Sequence, residues 1–243
     1  MSNTAARARG NSEAFKTPVE SAPVFTPIFN LKPVGDNDGP RSILAKSRIV
    51  KVDGPVNQDM ADRVIAELLF HEAASPGTPI TMLVNSGGGA VTQGWAIIDM
   101  MNMISSPVHT CAIGRVASMG TTILLAGAKG HRSATPNASI MMHEASISNV
   151  EGQAGDVAIS AEEMKHTRAR MLAFYAMTTG TSSKTLSKKM VRDYFMYPAE
   201  ALELGVIDKI AGYAECKSAF NEAAQKSNEA HLAVHKRRGP ALG

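Results

Sequence analysis

Hydrophobic and polar positions change rhythm repeatedly between residues 42 and 212, and each change predicts an element. Ile49-Val50-Lys51-Val52 reads as a short strand closed by Gly54-Pro55. From Gln58 to Ala74 apolar residues recur at helical spacing. Met60, Val64 and Leu68 form one stripe, Ala61, Ile65 and Leu69 lie beside it, and Ser75-Pro76-Gly77 ends the helix. Ile80-Thr81-Met82-Leu83-Val84 is a buried strand that runs into Asn85-Ser86-Gly87-Gly88-Gly89. A helix over Thr92–Ile104 stops at Pro107, Val108–Ile113 is the next strand, and a further helix spans Ser118–Ala128. Ile140-Met141-Met142-His143 is another short strand. The longest helical stretch is 156–179, where Val157, Met164, Met171 and Ala161, Arg168, Tyr175 recur at sevens before Gly180. A last helix over Pro198–Leu204 precedes a strand at Val206–Ile210.

Strands alternating with helices at this spacing predict an α/β domain with parallel strands and right-handed crossovers. Residues 42–214 form that domain. Residues 1–41 carry Pro18, Pro23, Pro27, Pro33 and Pro40 among small and polar residues, too little apolar surface to offset ordering entropy, so they read as a disordered or loosely docked tail. Residues 215–243 read as a polar helical segment followed by a basic, flexible end around Lys236-Arg237-Arg238.

Composition narrows the class. Aromatics are 5% of the chain while methionine is abundant at 14, so the core is expected to be aliphatic with thioethers filling gaps. A net charge of +3, partly in the C-terminal tail, gives no case for nucleic acid. No run approaches 18 apolar residues, which argues against a membrane span. Cys111 and Cys216 are far apart, fit neither a metal-ligand spacing nor a disulfide framework, and suit a reducing compartment. A cytoplasmic location is expected; Arg7 and Arg9 among small residues give an organelle such as a mitochondrion or plastid as the alternative.

Three segments invite a chemical reading. In Gly114-Arg115-Val116-Ala117-Ser118-Met119-Gly120 a strand ends, small residues turn, and a helix opens at a serine. A hydroxyl there sits where backbone N–H groups favour negative charge, which suits an acyl-transfer nucleophile. Taken alone, the same serine is more commonly a helix cap. The glycines of Asn85–Gly89 permit close backbone approach to a ligand, or simply a tight turn; the spacing is neither a P-loop nor a dinucleotide fingerprint. His143 ends an apolar strand, and Asp193 lies in Val191-Arg192-Asp193-Tyr194-Phe195. Each alone reads as a core histidine and a surface ion pair, and spacing cannot show that they meet.

Together the blocks are far more specific. Over residues 42–212 the chain resembles the ClpP family, the proteolytic subunits of Clp proteases. The resemblance rests on Asn85-Ser86-Gly87-Gly88-Gly89, Ala117-Ser118-Met119-Gly120, Ala126-Gly127-Ala128-Lys129-Gly130, Met142-His143, Glu151-Gly152-Gln153-Ala154 and Arg192-Asp193-Tyr194-Phe195-Met196, in the family's order and at its spacing. It implies a crotonase-like ββα spiral with a protruding strand-helix handle over 150–179. It implies Ser118 as nucleophile, His143 as general base, Asp193 as the residue orienting the base, and the N–H groups of Gly89 and Met119 as oxyanion donors. Gly88 and Ala145 are matched to substrate binding. No cofactor is implied for the chain itself; ATP is used by an AAA+ unfoldase partner. The implied assembly is two stacked heptameric rings, homomeric or mixed, cleaving peptides and unfolded proteins, with no nucleic acid and no membrane.

The sequence departs from the family near the chemistry. Gly87 stands where the family usually has Pro, Arg115 where it has Gln, Glu144-Ala145 where it has Gln-Pro, and Val191 where it has an acidic residue. These departures mark a divergent member and leave an alternative, a low-activity structural subunit in a mixed ring. An acyl-CoA enzyme on the related scaffold has no residue in its favour beyond the shared fold.

Overall fold

The computed structural model describes residues 31, 32, 35, 39–146 and 151–211. Helix α1 (Pro40–Lys46) leads into β1 (Ile49–Val56), α2 (Gln58–Ala74), β2 (Ile80–Gly89), α3 (Val91–Met103) and β3 (Val108–Ala112). Then come β4 (Arg115–Ala117), α4 (Met119–Leu125), β5 (Arg132–Ala134) and β6 (Ser139–Met142). The chain continues through α5 (Ala154–Thr179), α6 (Ser183–Lys189), β7 (Tyr194–Met196), α7 (Pro198–Glu203) and β8 (Lys209–Ile210). The main sheet has the order β1-β2-β3-β5-β8, with parallel neighbours throughout. A small second sheet has the order β4-β6-β7.

The alternation read from the sequence becomes parallel strands joined by helices because α2, α3 and α4 each bury an apolar face in the core. On α2 the stripe is Met60, Val64 and Leu68, each buried, and Asn57 caps the helix by accepting from Met60 N at 2.9 Å. Burying such side chains is worth about 1.5–3 kcal/mol apiece. Methionines do pack the interior: Met60, Met82, Met101, Met119, Met142, Met171, Met190 and Met196 all lie in the core cluster. The Arg132 guanidinium is buried against Asp208, with Nε and Nη2 donating to its two carboxylate oxygens at 2.9 and 2.6 Å. That pair joins the start of β5 to the residue before β8.

Some boundaries differ from the sequence expectation for local reasons. Asn85–Gly89 continues β2, and the ladder to β1 is kept by a register shift between Asp53 and Pro55. The helix expected over Ser118–Ala128 is shorter at both ends. It starts at Met119, and after Leu125 the chain is drawn away as Ala128 N donates to Val108 O at 2.8 Å. The strand expected at Val206–Ile210 is only Lys209–Ile210, because the N–H groups of Val206 and Ile207 both donate to Ala201 O and close the end of α7. Helix α5 protrudes: up to Arg170 its residues are exposed or half-buried, and Met171 and Tyr175 are its buried positions. Gly180 ends it in the left-handed conformation at φ 74°. The strand of the expected handle has no counterpart in 151–153, and 147–150 lie outside the described residues, as do the tail segments 1–30 and 212–243. No described helix is long and apolar enough to cross a membrane.

Candidate active site

The second sheet aligns residues that are remote in sequence. In the β4–β6 register Ala117 pairs with Met141, which sets Ser118 beside the end of β6. In the antiparallel β6–β7 register Met142 pairs with Tyr194, so the next residue out on each strand is His143 on one and Asp193 on the other. Three short strands thus bring one hydroxyl, one imidazole and one carboxylate to a single edge.

The side chains use that alignment. His143 Nε2 lies 2.7 Å from Ser118 Oγ, within hydrogen-bond distance. His143 Nδ1 lies 3.3 Å from Asp193 Oδ1. The histidine side chain is 26% exposed and the aspartate 56%, so the row runs from a half-buried serine out to a solvent-exposed carboxylate.

Ser118 occupies the N-cap position of α4, yet its side chain makes no cap hydrogen bond. Its backbone is strained at φ 54° and ψ −123°, a region that residues with a Cβ seldom adopt. Ser118 N donates to Met141 O at 3.0 Å, which holds the turn against β6 and aims the hydroxyl at the histidine. Helix capping therefore does not explain this serine.

The glycine segment packs on the same turn. A Cβ on Gly88 (φ 90°) would stand 2.7 Å from Ala117 O, 2.7 Å from Ser118 Cβ and 2.8 Å from Met119 N. Only glycine lets β2 approach so closely. Gly89 (φ 148°) is pressed against β1, where a Cβ would stand 2.4 Å from Val56 O. Met119 is the first residue of α4, so its N–H belongs to the set with no partner inside the helix. Ser86 Oγ braces the segment, donating to Gly54 O at 2.6 Å and accepting from Gly88 N at 3.1 Å.

A recess opens beside the histidine. Ala145, Met171, Leu172 and Met190 give it apolar walls, and His143, Glu144, Arg168 and Ser187 complete it. Of the two residues matched to substrate binding, Ala145 lines this recess while Gly88 lies under the Ser118 turn. Arg115 lies at the far end of β4 with its guanidinium 5.9 Å from the centre of the Phe195 ring.

A model of the family described as Clp protease matches residues 36–214. The chain belongs to the Clp protease family. The architecture of a parallel sheet and a small mixed one, with seven helices among the described residues, is compatible with that family. As a Clp protease family member the chain is of the peptidase class. The Clp protease match spans every element described above and leaves both ends of the chain outside it.

Sequence reasoning missed the contacts that surround the row. In the sequence Glu144 is only a departure from the family and Arg168 only one member of a helical stripe; in the fold their side chains meet, with Arg168 Nη2 donating to Glu144 Oε1 at 2.5 Å. Nothing in the sequence pattern gives Thr122 or Tyr175 a polar role, yet their hydroxyl oxygens lie 2.7 Å apart in the interior. An arginine and a tyrosine within an otherwise apolar stripe were the available signal.

Proposed function

We propose that this chain is a serine endopeptidase subunit in which Ser118 attacks a peptide carbonyl, His143 accepts its proton, and Asp193 orients His143. The observation that carries the reading is the 2.7 Å approach of His143 Nε2 to Ser118 Oγ with Asp193 behind Nδ1. A carboxylate facing Nδ1 favours the proton there and leaves Nε2 as the acceptor for the hydroxyl hydrogen. The strained backbone at Ser118 supports the same reading, because such strain persists where function requires it.

Attack creates a tetrahedral oxyanion. The N–H groups of Gly89 and Met119 are the donors proposed for it, each worth about 3 kcal/mol to the transition state. His143 then returns the proton to the leaving amine, the acyl group remains on Ser118 Oγ, and water activated by His143 hydrolyses that ester. None of these steps calls for a metal or organic cofactor. Membership of the Clp protease family supports a ring assembly, read here as two stacked heptamers fed by an AAA+ unfoldase.

The test is labelling of the full-length chain with a fluorophosphonate, alongside hydrolysis of a small fluorogenic peptide and a native mass. Wild-type chain should label at Ser118 and turn the peptide over in a particle of many subunits. An assembled particle that neither labels nor hydrolyses peptide would instead make the chain a structural ring subunit.

A further inference from the structure

Helix α5 reaches the site at two separate points. Toward its C-terminal end, the fully buried Tyr175 shares a 2.7 Å hydrogen bond with Thr122 Oγ1. Thr122 Oγ1 in turn lies 3.3 Å from Ser118 O, to which it can donate. Burial pushes the Tyr175 hydroxyl up to about 12, so it stays neutral and keeps its proton for the hydrogen bond it shares with Thr122. Two turns earlier Arg168 donates to Glu144, the residue after His143, and its Nη2 also lies 3.5 Å from Ser187 Oγ. Glu144 N donates to Met190 O at 3.2 Å, which ties the same segment to the end of α6.

Arg168 and Tyr175 are seven residues apart, so they project from one face of the helix. Met171 lies between them and is buried. One rigid element thus grips the turn that carries the serine and the segment that carries the histidine. The ion pair cannot matter through folding energy alone, since Glu144 and Arg168 are 29% and 50% exposed and such pairs add little stability. Its useful property is geometric, a short link of fixed length.

We propose that α5 is the strut that sets the spacing between Ser118 and His143, with Tyr175 and Arg168 as positioning residues. The proposal rests on the serine peptidase reading above. Neither residue takes part in bond making; each acts through a neighbour, Thr122 for the serine turn and Glu144 for the histidine segment.

The test uses the full-length chain, with Ser118 labelling rate, kcat and KM for one peptide as readouts. Tyr175→Phe and Arg168→Met should each lower kcat and labelling about tenfold, as expected for a misplacement below 1 Å, and leave KM within about twofold. The charge-reversed pair Glu144→Arg with Arg168→Glu should recover most of the loss at Arg168. Glu162→Gln, on the exposed part of the same helix, should behave as wild type. The Glu144 carboxylate left unpaired by Arg168→Met is 29% exposed and so still reaches water, and a folding failure at Tyr175 leaves this arm intact. If wild-type chain labels and both variants match it, the strut falls and the peptidase reading stands. A reversed pair as slow as Arg168→Met also overturns the role of Arg168. If wild-type chain does not label, the peptidase reading falls and the strut with it.

Discussion

Replacing Gly88 by alanine adds a single methyl group where the glycine strand packs on the Ser118 turn. That methyl would meet Ala117 O at 2.7 Å, Ser118 Cβ at 2.7 Å and Met119 N at 2.8 Å. Ordinary carbon contacts need about 3.5–4.0 Å, so β2 and the Ser118 turn must separate by about 1 Å. Two of the three clashing partners are backbone atoms, which cannot rotate aside. Gly88 also sits at φ 90°, where an alanine is strained by about 1–2 kcal/mol. A shift of about 1 Å between reacting groups costs about 10²-fold in rate. Because Met119 N is among the displaced atoms, loss of that oxyanion donor would bring a further 10²–10³-fold, about 3–4 kcal/mol. We therefore expect kcat for a fluorogenic peptide to fall by about 10²-fold if the donor is kept and up to about 10⁵-fold if it is lost, while strain of about 1–2 kcal/mol lowers the Tm by about 2–8 °C. Gly87→Ala is the built-in comparison, because nothing lies within 4 Å of a Cβ there and its φ is not positive. It should keep near-normal kcat and Tm. A Gly88→Ala variant with wild-type kcat would refute the idea that the glycine strand and the serine turn form one catalytic unit.

Other substitutions probe single links. Ser118→Ala should remove measurable peptide turnover with a near-normal native mass; retained turnover would place the nucleophile elsewhere. Asp193→Asn should cut kcat toward the roughly 10⁴-fold loss caused by the wrong imidazole tautomer, and an unchanged rate would take Asp193 out of the mechanism. Asp208→Asn leaves the Arg132 guanidinium, 5% exposed, without its counter-charge and should cost about 3–5 kcal/mol in urea unfolding at pH 7. Burial pushes the Asp208 carboxyl up, but the hydrogen bonds and charge of Arg132 outweigh it and hold the group below its ordinary value. Stability from this lowered group is therefore present above about pH 4 and lost as pH falls further. The gap between wild type and Asp208→Asn should narrow in melts below about pH 4; a constant gap would show that the pair does not carry that dependence.

Local patterns along the chain were enough to define the class of the fold and the candidate catalytic residues. Helical stripes such as Met60-Val64-Leu68 and the stops at Ser75-Pro76-Gly77 and Gly180 are local signals, because periodicity and backbone freedom act over a few residues. Motif blocks in the right order carried the family resemblance and the three residues Ser118, His143 and Asp193. Local signals could not fix strand ends such as Lys209–Ile210, where Ala201 O intercepts the preceding N–H groups. Nor could they show that Asn85–Gly89 remains paired with β1 as a strand. Which groups face one another is set by the packing of the folded chain. The β4-β6-β7 register aligns 118, 143 and 193, Gly88 is fixed by contact with a turn thirty residues on, and α5 reaches both Thr122 and Glu144. Those relations are distances between atoms far apart along the chain, and only packing sets such distances.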